Sequence, residues 1–102
     1  MVHVLAFITA RPGSRAELLA AFQANVPSVH AEDGCIAYGA ALDSPGMGGI
    51  QTELGPDTFV VIEQWASPEA LRAHGSSAHM KAYAAHTKEL VANRTINVLS
   101  PA

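Results

Sequence analysis

The chain has 102 residues, 49% of them apolar and 15% charged, with a formal net charge of −3. That length suits one domain with one hydrophobic core, and the apolar share excludes a disordered chain. Its six lysines and arginines are scattered, so neither the basic footprint of a nucleic-acid binder nor a patch for an anionic membrane is present, and no such partner is expected.

No apolar run approaches the roughly 20 residues that cross a bilayer. The single cysteine, Cys35, can form no intrachain disulfide and suits a reducing compartment. The apolar N-terminus has no basic segment ahead of it and reads as a strand, so the cytoplasm is the default location.

Val2 to Ala10 is rich in β-branched and bulky apolar residues and stops at Arg11-Pro12-Gly13, a strand followed by a turn. Ser14 and Glu17 have the spacing of a capping box. Leu18, Leu19, Phe22, Val26 and Val29 then recur at three- and four-residue steps, so they share one helical face. Pro27 removes a backbone donor to Gln23, which predicts a kink or helix end nearby and a break near Asp33-Gly34. Cys35 to Leu42 is a second strand candidate. Asp43 to Asp57 is glycine-rich and reads as a long, mobile loop.

Thr58 to Trp65 (TFVVIEQW) is the strongest strand signal in the chain. Ser67-Pro68-Glu69 supplies an N-cap, a proline at the first helical position and an acid at the positive helix end. Gly75-Ser76-Ser77 interrupts that helix, and Ser77 can cap a second piece. In that piece Met80, Tyr83, Ala84, Thr87, Leu90 and Val91 recur at helical spacing. Arg94 to Leu99 alternates as a last strand. The order is β-α-β-β-α-β over 1–102, an α+β domain of ferredoxin-like type with a four-stranded antiparallel sheet.

On the first strand Val4, Ala6 and Ile8 point one way while Leu5 and Phe7 point the other; on the third, Phe59 and Val61 oppose Val60 and Ile62. Two helices cover only one face of such a sheet, and a wet second face should be polar. An apolar second face calls for a cover, and a second copy is the simplest one. The expected partner is therefore the same chain, in a homodimer joined through the sheet faces.

The residues suited to chemistry cluster between Glu63 and His79. Glu63 and Trp65 share one side of a strand end, and His74 and His79 flank the break in the following helix. Histidine can take a proton from an acidic phenol or enol, and an indole offers a wall to a planar ligand. Each residue also has a plain structural reading. His74 can end a helix turn, Trp65 can be core, Glu63 can pair across a dimer, His79 can be solvated, and Tyr38 can be core. His79, Tyr83 and His86 form one helical stripe, but no H-x-x-x-H or H-E-x-x-H spacing accompanies it, so no metal site is expected.

These landmarks together resemble the antibiotic biosynthesis monooxygenase (ABM) domains of the dimeric α+β barrel superfamily. The similarity lies in Pro12-Gly13, Glu32-Asp33-Gly34-Cys35, Tyr38, Glu63-Gln64-Trp65, Ser67-Pro68-Glu69-Ala70-Leu71, His74 and Ser77-Ala78-His79, in that order. It implies a dimer with barrel-forming sheets and a pocket between helices and sheet in each subunit. It also implies, as in family members acting on quinols and anthrones, oxygenation without metal or flavin, in which a deprotonated substrate reacts with dioxygen. The haem-degrading branch fits poorly, because the first strand has no Asn and Ala84 stands where that branch carries its ligand.

The leading expectation is a cofactor-independent monooxygenase for a small phenolic, quinol or polyketide-like substrate. His74 is the candidate base and Trp65 the aromatic wall, with Tyr38, Glu63, His79 and Tyr83 around the ligand. The alternative is a non-catalytic dimeric protein that binds a hydrophobic small molecule.

Overall fold

A computed structural model describes all residues, 1–102. Strand β1 (Val2–Ala10) leads to helix α1 (Arg15–His30), β2 (Cys35–Ala41), β3 (Thr58–Trp65), α2 (Pro68–Gly75), α3 (Ala78–Thr87) and β4 (Val91–Leu99). The antiparallel sheet has the strand order β2-β3-β1-β4. The second helical segment is split in two, as Gly75-Ser76-Ser77 suggested. Ser67 Oγ accepts from Ala70 N at 3.1 Å and Ser77 Oγ from Met80 N at 3.3 Å, so each piece has its own cap.

Alternation along the strands places Val2, Val4 and Ala6 of β1 and Phe59, Val61, Glu63 and Trp65 of β3 against the helices, where all are buried. Leu18, Phe22 and Val29 of α1 complete this core. Register puts Leu5 beside Ile62 and Phe7 beside Val60 on the outer face, where Ile62 is 47% exposed. On β4 that face carries Asn97 beside Leu5 and Thr95 beside Phe7. The outer apolar strip therefore belongs to the two central strands and fades at the β4 edge.

Several local expectations are corrected. Ser14 precedes α1 but its side chain makes no capping bond, because its ψ of 2° departs from the extended backbone that aims a hydroxyl at the first turn. The helix end expected near Pro27, by contrast, is found at His30, three residues further on; Ala31 N bonds to the Pro27 carbonyl at 3.2 Å. Leu42 lies outside β2.

The long loop, expected to be mobile, is tied down by Asp43 from within and by Arg15 Nη1, which donates to the Gly55 carbonyl at 3.0 Å. Asp43 accepts from Leu54 N (2.8 Å to Oδ1), Gly55 N (3.1 Å to Oδ2) and Gln51 Nε2 (3.1 Å to Oδ1). The backbone bonds from Leu54 and then Gly55 hold the Asp43 carboxyl below its ordinary value. Leu90 and Val91 do not continue α3. Lys88–Leu90 form a 3₁₀ turn, and Val91 enters β4 opposite Ala10, so strand pairing overrides helical periodicity there.

Gly34 sets the approach of α1 and β2 to α2. Its φ of +83° is left-handed, and a Cβ there would lie 2.6 Å from the Ala70 Cβ. Gly13 has a similar φ of +82° but open space around it. Gly34→Ala is expected to add a steric overlap to a backbone strain of about 1–3 kcal/mol, whereas Gly13→Ala carries the strain alone. Thermal melts of both variants check this, and equal melting temperatures would show that the contact with Ala70 is not limiting.

Candidate active site

Each side chain of the site is delivered by an identifiable local feature. Glu63 and Trp65 are two residues apart on β3 and so share its inner face, and Trp65 Nε1 donates to Glu63 Oε1 at 2.8 Å. Tyr38 sits opposite Glu63 in the β2–β3 register. His74 occupies the last turn of α2 and His79 the first turn of α3. Glu32 comes from the turn between α1 and β2, and its Oε2 meets His74 Nδ1 at 2.8 Å and His79 Nε2 at 3.1 Å.

Aromatic packing locks the His74 ring from two sides. Its centroid is 4.7 Å from that of Trp65 and 5.4 Å from that of Tyr38, which meets it edge-on. Phe22 stacks on the other side of Tyr38 at 5.2 Å. His74 is 6% exposed and Trp65 fully buried.

A carboxylate oxygen has only lone pairs, so both imidazole nitrogens facing Glu32 donate to it. For neutral His74 this fixes the tautomer with hydrogen on Nδ1 and a lone pair on Nε2. His79, donating through Nε2, keeps Nδ1 buried and without a partner. Glu32 is the residue that sequence reading missed. It stands 42 positions from His74 and 47 from His79, and only its place in the Glu32-Asp33-Gly34-Cys35 turn marked it.

A cavity of about 750 Å³ opens between helices and sheet. Tyr38, Glu63, His74 and Tyr83 line it, on a floor of Val4, Ala6, Ile8 and Val61 under Phe22, Leu71 and Met80. Two residues expected around a ligand stand elsewhere. Trp65 is not in the lining; its ring is sealed in the core behind Glu63 and His74, so it braces both rather than forming a wall. His79 faces a separate groove between α1 and α3 with Asn25 and His86, and is linked to the first cavity through His74, by the shared Glu32 oxygen and by a ring contact at 6.5 Å.

Burial raises the ionisation of several lining groups. Desolvation, then the Glu63 charge, pushes the Tyr38 hydroxyl well above the ordinary phenol range, and desolvation also raises Tyr83 against the lowering effect of Arg94. Both remain un-ionised phenols near neutral pH. Glu63 is likewise raised above 4.5, chiefly by desolvation, with the Trp65 bond and His74 opposing.

The sign of the stability effect follows. A carboxyl raised on folding binds its proton more tightly in the native state, so its contribution falls as pH rises from 4.5 through the folded value. Glu63→Gln keeps an acceptor for the Trp65 indole and removes this loss. The variant is expected to gain melting temperature relative to wild type on going from pH 4 to pH 7, and a constant difference across that range would refute it.

This fold and this site define a small α+β domain with a carboxylate–imidazole pair facing an apolar cavity. The profile of the family "Antibiotic biosynthesis monooxygenase" matches residues 1–86, and the chain belongs to that family. It is 39% identical over 103 residues to the Escherichia coli K12 protein named "Probable quinol monooxygenase YgiN", covering 99% of this chain and 98% of that one. Among solved structures it superposes on Rv0793 of Mycobacterium tuberculosis with a TM-score of 0.79 at 30% identity, covering 99% and 94% of the two chains. PA3566 of Pseudomonas aeruginosa gives 0.80 at 28% identity, covering 99% and 93%.

Proposed function

We propose that the protein is a cofactor-independent monooxygenase that oxidises a small quinol, phenol or polyketide-like aromatic with dioxygen. The observation that carries this reading is the Glu32–His74 pair, which leaves the Nε2 lone pair free on an imidazole that lines a largely apolar cavity together with two neutral phenols. The similarity to a protein named as a quinol monooxygenase supports the substrate class.

His74 Nε2 accepts the hydroxyl proton of the substrate, and the imidazolium so formed is held by Glu32, a division of labour known from other carboxylate–histidine pairs. The resulting anion is electron-rich and supplies the electrons for dioxygen. One oxygen atom bonds to a ring carbon, and the other leaves as water with the two hydrogens the substrate gives up. Tyr38 and Tyr83 are hydroxyl donors for the developing charge. Glu63, with Oε1 taken by the indole, has Oε2 free to orient the ligand. Trp65 holds Glu63 and His74 in place, and His79 holds Glu32.

Oxygen uptake with a panel of quinols and anthrones, corrected for uncatalysed oxidation, tests the reading. Catalysed uptake with at least one compound is expected. Saturable binding without any uptake would leave the alternative, a non-catalytic carrier of a hydrophobic molecule.

The same reading includes a homodimer joined through the outer sheet faces, because Leu5, Phe7, Val60 and Ile62 form an apolar strip that the chain itself leaves uncovered. Light scattering at micromolar concentration is expected to give twice the 10.7 kDa chain mass, and Ile62→Lys to shift it toward monomer. A wild-type mass of one chain would eliminate this interface.

A further inference from the structure

The cationic residues of this acidic chain are unevenly placed. Three of its six lysines and arginines (Lys81, Lys88 and Arg94) line the main cavity, whereas only one of its nine acidic residues, Glu63, does so. Other cations are engaged elsewhere: Arg11 Nε donates to the Glu89 carbonyl at 2.7 Å, and Arg15 Nη1 to the Gly55 carbonyl at 3.0 Å. Lys88 and Arg94 are exposed and form no ion pair, since both ion pairs of the chain are those of Glu32 with His74 and His79.

Strand register says where these charges stand. On the inner face Glu63 is level with Val4 and Val98, while Arg94 is level with Ile8 and Phe59. Arg94 is therefore four residues further along the strand direction, roughly 14 Å at about 3.4 Å per residue. Lys88 lies in the turn that enters β4 beside Ala10, at the same end. His74, Glu63 and Tyr38 occupy the other end, with apolar Ala6, Val61 and Ile96 between. The third lining cation, Lys81, stands apart in the opening turn of α3, two residues past His79; the cavity thus has a proton-accepting pole, an apolar middle and a pole where two cations, Lys88 and Arg94, lie together. The Arg94 charge is felt within it, because it opposes the rise at Tyr83.

We propose that the preferred ligand is a hydroxylated polycyclic aromatic bearing an anionic substituent, a carboxylate or sulfonate, at the end remote from the hydroxyl that His74 deprotonates. Arg94 and Lys88 hold that anion. A carboxylate matches the planar fork of a guanidinium, and two exposed cations at one end of the cavity draw an anion there by their summed field, an attraction that salt screens. A single ring seated at His74 does not span the two poles, whereas fused rings do. This inference rests on the aromatic-substrate reading above and adds an anionic group to it.

Calorimetric titration separates the two. A hydroxynaphthoate with hydroxyl and carboxylate on opposite rings is compared with its neutral methyl ester, for the wild type and for the Lys88→Gln/Arg94→Gln double variant. The acid is expected to bind about tenfold tighter than the ester at low ionic strength, with the preference shrinking at high salt. The double variant is expected to lose that preference while still binding the ester. Equal affinity of acid and ester in the wild type, or a preference that survives in the double variant, would overturn the anionic-substrate inference and leave the aromatic pocket standing. Failure of both compounds to bind would overturn the aromatic pocket and this inference with it.

Discussion

His74→Gln is expected to lower kcat/KM for quinol oxidation by about 10²–10⁴-fold, the usual contribution of a positioned general base. Glutamine is the informative replacement because its amide N–H can still donate to Glu32 Oε2, the contact His74 now makes at 2.8 Å. An amide, however, has no nitrogen lone pair with which to take a proton. His74 is 6% exposed and packed between Trp65 and Tyr38, so some stability is lost as well, about 1–2 kcal/mol by analogy with other buried substitutions.

The fluorescence of Trp65, the only tryptophan, reports whether the fold persists, since its ring lies 4.7 Å from that of His74. Ligand binding should survive within a few fold, because the floor of the cavity is made by β1 and β3. Turnover that matched wild type in a folded His74→Gln protein would remove the imidazole from the chemistry and with it the proposed reaction.

Much of this site was legible in the chain because local rules act at short range. Glu63 and Trp65 are two apart on a strand, so their shared side follows from strand geometry. Ser67-Pro68 and Ser77 announced the two helix starts that carry His74 and His79, and both hydroxyls make the expected bonds. The Ser14 pattern was equally good on paper and failed, because the turn before α1 sets a backbone angle that no side-chain motif overrides. Helical spacing likewise ran past Thr87 through Leu90 and Val91 until pairing with β1 claimed the chain.

The role of Trp65 was less legible than its position. A strand residue beside a glutamate can wall a pocket or stand behind it, and only the tertiary packing of α2 decides. Here the indole N–H is spent on Glu63 and the ring on His74. The Glu32 contact was not legible at all. A turn of Glu-Asp-Gly-Cys is polar and glycine-containing for reasons of chain reversal alone, and nothing in its spacing points 42 residues downstream. What brings it there is Gly34, whose positive φ and missing Cβ let this turn close on Ala66 and Ala70 at the start of α2.

Glu32 is accordingly the position where two replacements should part company. Glu32→Ala leaves His74 Nδ1 without its acceptor in a nearly closed site, and an unsatisfied buried donor costs about 1–3 kcal/mol. His79, whose side chain is 28% exposed, can turn part of its loss over to water. Glu32→Gln retains an oxygen of similar reach and should stay closer to wild type in melting temperature. Its amide nitrogen, though, can donate to His74 Nδ1 and so favour the tautomer that places hydrogen on Nε2, where the lone pair is needed. It also lacks the negative charge that steadies the imidazolium formed on proton transfer.

Both variants are therefore expected to lose about 10²-fold or more in kcat, with the larger thermal loss in alanine only. A merely structural Glu32 predicts the opposite pattern: Glu32→Gln would keep both its melting temperature and its kcat, and its pH–rate profile would overlay that of wild type. His79→Ala discriminates further. His79 does not line the cavity and meets it only by way of Glu32 and the His74 ring, so its removal should lower kcat much less than either Glu32 replacement and leave ligand affinity unaltered.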